Sequence, residues 1–146
     1  MASKVDNKCL LSFNNITMVV KDIEKTSQLL SVLLGIGPWE SMEYKPSNED
    51  LIVGNPFKLK FAFARLGTTT LQLTQPIEGK SPWKAFLDKK GEGLHNLYFE
   101  VTDWDGTIDK FKKEGNTVLA SGRLDGKRWC LFEAKQNSFR IKIGER

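Results

Sequence analysis

Phe13-Asn-Asn-Ile-Thr-Met-Val-Val20, running into Lys21-Asp22, and Leu94-His-Asn-Leu-Tyr-Phe-Glu-Val101, running into Thr102-Asp103, are two alternating stretches that each end on an acidic helix opener. Alternation at period two is the mark of a strand with one buried face. In the first, Ile16, Met18 and Val20 point one way, and Asn15, Thr17 and Val19 the other. In the second, Leu97, Phe99 and Val101 oppose Asn96, Tyr98 and Glu100. Placing Val20-Lys21-Asp22 over Val101-Thr102-Asp103 sets Asn15 over Asn96, an offset of 81 residues.

The residues after each stretch repeat a common pattern as well. Asp22 predicts a helix over Ile23 to Leu34, stopped by Gly35 and Gly37-Pro38, with Ile23, Leu30, Leu33 and Leu34 covering one face. Strands are then expected at Trp39 to Tyr44, Leu59 to Leu66 and Thr70 to Gln75, with Gly67 at the hairpin turn. Asp103 opens a second helix carrying Trp104, Ile108 and Phe111, ended by Gly115. Strands at Thr117 to Ala120, Arg128 to Phe132 and Phe139 to Ile143 complete the second round. Between the rounds, Ser81-Pro82-Trp83 reads as a cap with proline at the first helical position, and Lys89-Lys90-Gly91 as the end of a short helix.

The chain is therefore read as α+β: two βαβββ modules packed as one unit. Residues 1–11 are expected to be a flexible N-terminus and 12–146 one domain. Its parts are module one at 12–76, a connector with a short helix at 77–92 and module two at 93–146. One such module leaves a sheet face uncovered, so a pair buries it around a shared groove.

Composition narrows the function. The 146 residues suffice for one hydrophobic core, and 40% hydrophobic with 27% charged residues excludes a disordered or fibrous chain. No apolar stretch is long enough to span a bilayer, and the first dozen residues lack the apolar run of a secretory signal. The two cysteines, Cys9 and Cys130, have neither disulfide-framework nor metal-ligand spacing, so a reducing cytoplasmic setting is expected. A net charge of +4 accords with an anionic small-molecule partner. The lysine pairs Lys89-Lys90 and Lys112-Lys113 fall at helix ends, where the helix dipole favours them, and form no stripe interleaved with aromatics. Neither a nucleic acid nor a membrane is expected as a partner.

The stretches Ile16-Thr-Met-Val-Val-Lys-Asp-Ile-Glu-Lys25, Leu34-Gly-Ile-Gly-Pro-Trp39, Leu71-Gln-Leu-Thr-Gln-Pro76 and Gly91-Glu-Gly-Leu-His-Asn-Leu-Tyr-Phe-Glu-Val101 resemble the vicinal oxygen chelate superfamily. The superfamily includes glyoxalases, methylmalonyl-CoA epimerases, extradiol dioxygenases and bleomycin-resistance proteins. The likeness is nearest to the epimerase and lactoylglutathione-lyase branch. It implies a curved sheet forming a cup, a divalent metal held there by His or Glu from four strands, two per module, and a homodimer. Carried over position by position, the four ligand places fall on Asn15, Gln72, Asn96 and Lys142. None keeps the family residue. Transition-metal sites take imidazole, thiolate or carboxylate donors, whereas three amides and an ammonium do not neutralise a dication. No metal and no other cofactor are therefore expected.

Two functions remain. One is a metal-free protein that binds a small anionic or carbonyl-bearing amphipathic ligand through Asn15, Thr17, Gln72, Asn96, Tyr98, Trp129 and Arg140. The alternative is a metal-free isomerase or lyase with Glu100 or a desolvated Lys142 as base. Glu100 is placed to pair with Lys142 or Arg140 across the groove. His95, the chain's one histidine, is assigned by parity to the face beneath the helices. A one-residue register shift would be needed to aim it into the groove.

Overall fold

The computed structural model describes residues 11–135 and 139–146. Residues 1–10, most of the N-terminal segment expected to be flexible, and Cys9 with them, lie outside the described residues. The elements run in the order β1 (Ser12–Val19), α1 (Ile23–Leu34), β2 (Glu40–Tyr44), β3 (Leu51–Val53), β4 (Phe57–Leu66), β5 (Thr69–Gly79), α2 (Pro82–Lys90), β6 (Gly93–Val101), α3 (Trp104–Lys113), β7 (Thr117–Leu124), β8 (Lys127–Glu133) and β9 (Arg140–Glu145). The three helices among the described residues open as their sequences dictate. The side chains of Asp22, Ser81 and Asp103 accept from the backbone N–H groups of Lys25, Lys84 and Gly106, satisfying donors that have no partner within the helix. Gly35 closes α1 at φ 68°, where a side chain would be strained.

Among the described residues, nine strands form one sheet in the order β2-β4-β5-β1-β6-β9-β8-β7-β3. The two modules meet along the antiparallel seam β1–β6, and each then pairs its first strand in parallel with its last, β1 with β5 and β6 with β9. Strand β3 is not among the elements expected from the sequence. It belongs to module one in chain order but pairs with β7 at the far edge, rolling the sheet into a half-barrel. Across the opening, Tyr44 donates its hydroxyl hydrogen to the Arg123 carbonyl (2.7 Å) and accepts from Trp129 Nε1 (2.9 Å).

Burial divides by face. Inside the cup, Val19, Tyr44, Phe57, Leu59, Phe61, Trp83, Trp129 and Leu131 form an aromatic-rich core. Outside, α1 covers Val20, Leu71 and Leu73, and α3 covers Val101, Phe132 and Ile143. Leu11 packs at the edge of the latter group. The expected apolar face of α1 holds only in part. Ile23 is buried and Leu30 packs on the core, but Leu33 and Leu34 are 67% and 68% exposed.

Candidate functional site

The seam between β1 and β6 carries the groove-facing side chains, and its ladder slips twice. Phe13 and Asn15 oppose Phe99 and Tyr98, leaving Asn14 extra on β1; Thr17 and Met18 oppose Asn96 and Leu94, leaving His95 extra on β6. These are β-bulges, and Asn14 and His95 stand 81 residues apart, at equivalent places in the two modules. In each bulge the extra side chain bonds its neighbour. Asn15 Nδ2 donates to Asn14 Oδ1 at 3.0 Å, and His95 Nδ1 donates to Asn96 Oδ1 at 2.8 Å.

The second bulge corrects the expectation for His95. Its ring packs against Trp83 and Phe86 of α2, with centroids 5.8 and 5.0 Å away, on the cup side of the sheet. The register shift that alternation alone does not contain is the one present. Burial drives the imidazole pKa down to about 4; the Asn96 bond and the Pro82 carbonyl oppose this, and the charges of Arg140 and Lys142 add to it. The ring is therefore neutral at pH 7, with its proton on Nδ1 facing Asn96 Oδ1, and Nε2 is a buried acceptor without a partner among the described residues.

Asn15, Thr17, Gln72 and Asn96 are all buried on the inner face, as alternation predicts. Three of them form a hydrogen-bonded chain that ends on Thr74. Thr17 Oγ1 donates to Asn15 Oδ1 (2.9 Å), Asn15 Nδ2 to Gln72 Oε1 (3.2 Å), and Gln72 Nε2 to Thr74 Oγ1 (3.1 Å). Asn96 differs, because its Nδ2 is buried with no acceptor among the described residues. The Lys142 ammonium lies 5.1 Å from the Tyr98 ring centroid and 5.3 Å from that of Trp129. Among the described residues no carboxylate pairs with it, and burial lowers its pKa to about 8. Tyr98 is pushed up to about 12, by burial first and by Glu100 second. The absence of a side chain at Gly144 makes room for Tyr98, since a Cβ there would collide with its hydroxyl.

Not every expected member joins this set. Glu100 accepts from Asn14 Nδ2 at 3.0 Å and pairs with neither Lys142 nor Arg140. Arg140 turns toward α2, where Nε donates to the His95 carbonyl (3.1 Å), Nη1 lies 3.7 Å from Glu133, and the guanidinium stacks over Phe86 at 4.7 Å. Trp129 is both core and wall, at 4% exposure.

The four family ligand places do not suit a divalent ion. The amide oxygens of Asn15, Gln72 and Asn96, the set's only atoms with affinity for a cation, accept hydrogen bonds from Thr17, Asn15 and His95. The fourth place is itself a cation. Among the described residues no three His, Cys, Asp or Glu side chains cluster as ligands.

A cup formed by two βαβββ modules, with polar residues along the seam, is an architecture that known proteins share. The profile of the Glyoxalase/Bleomycin resistance protein/Dioxygenase superfamily matches residues 14–131, and the chain belongs to that superfamily. Its fold is similar to that of a hypothetical protein from Bacillus halodurans C-125, with a TM-score of 0.71 and 20% identity, covering 93% of this chain and 94% of that one. It is also similar to methylmalonyl-CoA epimerase from Mycobacterium tuberculosis, with a TM-score of 0.70 and 18% identity over 99% of this chain and 92% of that one. The Streptomyces coelicolor epimerase, solved with 2-nitronate-propionyl-CoA, gives a TM-score of 0.67 and 18% identity over 93% and 98%. One curated relative, the uncharacterized protein YqjC of Bacillus subtilis (strain 168), is 43% identical over 42 residues; that match spans 29% of this chain and 30% of the relative. No helix among the described residues is long and apolar enough to cross a membrane.

Proposed function

We propose that this chain binds a small anionic or carbonyl-bearing amphipathic ligand in the cup between its modules, and does so without a divalent metal. One observation carries the reading. Among the described residues, the Lys142 ammonium lies against Tyr98 and Trp129 with no carboxylate partner, and Asn96 Nδ2, two residues before Tyr98 on β6, lacks an acceptor. Unpaired donors in an apolar cup destabilise the free protein, and a ligand oxygen that meets them recovers that cost on binding. The epimerase neighbours, one of them solved with an acyl-CoA analogue, support a carboxylate- or thioester-bearing ligand.

The amine also supports a second reading, an isomerase or lyase. With its pKa near 8, Lys142 exchanges a proton close to neutrality, as a general base must. Glu100 is the other candidate base, and it would act separately because its side chain is held by Asn14.

A thermal-shift and calorimetric series with methylmalonyl-CoA and S-lactoylglutathione, with and without EDTA, tests both readings. Lys142→Met is expected to lower affinity at least tenfold while raising stability by about 1–3 kcal/mol, since a desolvated charge is removed. EDTA is expected to change neither. Turnover that Lys142→Met or Glu100→Gln abolishes at retained affinity selects the enzyme. Unchanged affinity in Lys142→Met, or binding lost to EDTA, overturns the proposal.

A further inference from the structure

Beside the cup floor, α2 roofs a cavity of about 680 Å³ lined by His95, Arg140, Phe86, Lys80, Lys89 and Lys90 among others. That volume is in the range of pockets that hold small organic ligands. The Lys142 ammonium contacts Tyr98 and Trp129, neither of which lines this cavity.

We infer that this cavity is a second recognition site, for an organic anion that also carries a hydroxyl or N–H donor. His95 is 3% exposed, its Nδ1 is committed to Asn96, and its Nε2 is an acceptor with no partner among the described residues. What satisfies an imidazole lone pair is an O–H or N–H donor or a metal cation. The surroundings select the donor. The Arg140 guanidinium is bonded to the carbonyl of His95 itself, and among the described residues three lysines line the same cavity against one carboxylate, Glu133. A cation is repelled there and an anion is drawn in. Arg140 is 9% exposed and fixed between Glu133 and the face of Phe86, so its charge is already oriented in the free protein. The other face of the ligand meets Phe86, Ala85 and Leu119, which suit an aromatic or short apolar body. Two other cavities beside α3, of about 300 and 670 Å³, have no unpaired buried side-chain atom among their described lining residues.

Because His95 is the only histidine, the ring nitrogens of the ¹⁵N-labelled full chain give a single, already assigned pair of signals. Titration at neutral pH compares benzoate with the three isomeric hydroxybenzoates, which place a donor at three distances from one carboxylate. At least one hydroxybenzoate is expected to bind about tenfold tighter than benzoate and to move the Nε2 signal more than Nδ1. The double variant Lys89→Gln/Lys90→Gln is expected to weaken all four probes alike. His95→Phe removes the hydroxyl preference and leaves the anion contribution. Lys142→Met leaves the Nε2 shift in place. An Nε2 signal that no hydroxybenzoate moves, or a hydroxyl preference retained in His95→Phe, overturns the inference. So does loss of the shift in Lys142→Met, which would merge the two sites. If His95→Phe does not fold, the titration of the unmodified chain decides alone.

Discussion

A neutral imidazole wedged between Trp83 and Phe86 makes folding sensitive to acid, and the sign is set by where it titrates. The folded pKa is about 4 and the ordinary value is 6.5, so between these the unfolded chain binds a proton that the folded one refuses. Stability contributed by His95 is present above pH 6.5, declines as pH falls toward 4, and is gone below it, a loss of roughly 3 kcal/mol. Urea denaturation between pH 7 and pH 4.5 is expected to show this decline, and His95→Phe to flatten it relative to the unmodified chain. Parallel pH profiles for the two proteins would contradict a buried neutral ring. At this scale the sequence was readable wherever period two ran unbroken: Asn15, Thr17, Gln72, Asn96 and Lys142 all lie on the groove side. It was not readable at His95, because one inserted residue reverses facing and leaves composition unchanged. The local signal for the bulge was Gly91-Glu-Gly93. Gly93 adopts φ 157°, and glycine beside a strand start accommodates the distortion that a bulge introduces.

Helix α1 shows what periodicity leaves open in an element. Its boundaries, Asp22 cap and Gly35 stop are all evident from local chemistry, since each satisfies backbone groups of the helix itself. How far the helix overlaps the sheet is a tertiary matter. Leu30 packs with Val20 and Ile23, whereas in the last turn Leu33 and Leu34 project into solvent along with Val32. Two leucines of equal helix propensity therefore differ in worth. Leu30→Ala is expected to cost about 1–2 kcal/mol, because a half-buried side chain loses contacts and leaves a gap. Leu33→Ala is expected to stay within about 0.5 kcal/mol of the parent. Chemical denaturation of both variants measures the difference, and equal losses would place the last turn of α1 on the core after all. The strand β3 escaped the sequence for a related reason. Three residues between Asp50 and Gly54 carry no period, and their partner β7 is supplied by the other module.

The cup as a whole is held closed by contacts between residues far apart in the chain. Duplication at an offset of 81 residues discloses two modules, and the seam β1–β6 joins them, but neither dictates how tightly the sheet rolls. Closure rests on β3 crossing to β7 and on one phenol. Tyr44, at the end of β2, stacks with Phe61 and meets Phe57 and Trp129 edge-on, while its hydroxyl links the Arg123 carbonyl to Trp129 Nε1. Tyr44→Phe keeps the ring and removes only the link, leaving the buried Trp129 N–H without its acceptor. The expected cost is about 2–3 kcal/mol, more than a surface hydroxyl is worth, because an unmet buried donor retains its desolvation penalty. Trp129 also forms one wall around the Lys142 ammonium, so the same variant is expected to weaken anion binding at Lys142. The hydroxybenzoate response of His95, read through its ring nitrogens, is expected to persist, because Phe86 and Arg140 shape that cavity. Parallel measurement of stability, anion affinity and the His95 signal separates the roles. A Tyr44→Phe protein as stable as the parent would show that the rolled sheet closes without this link.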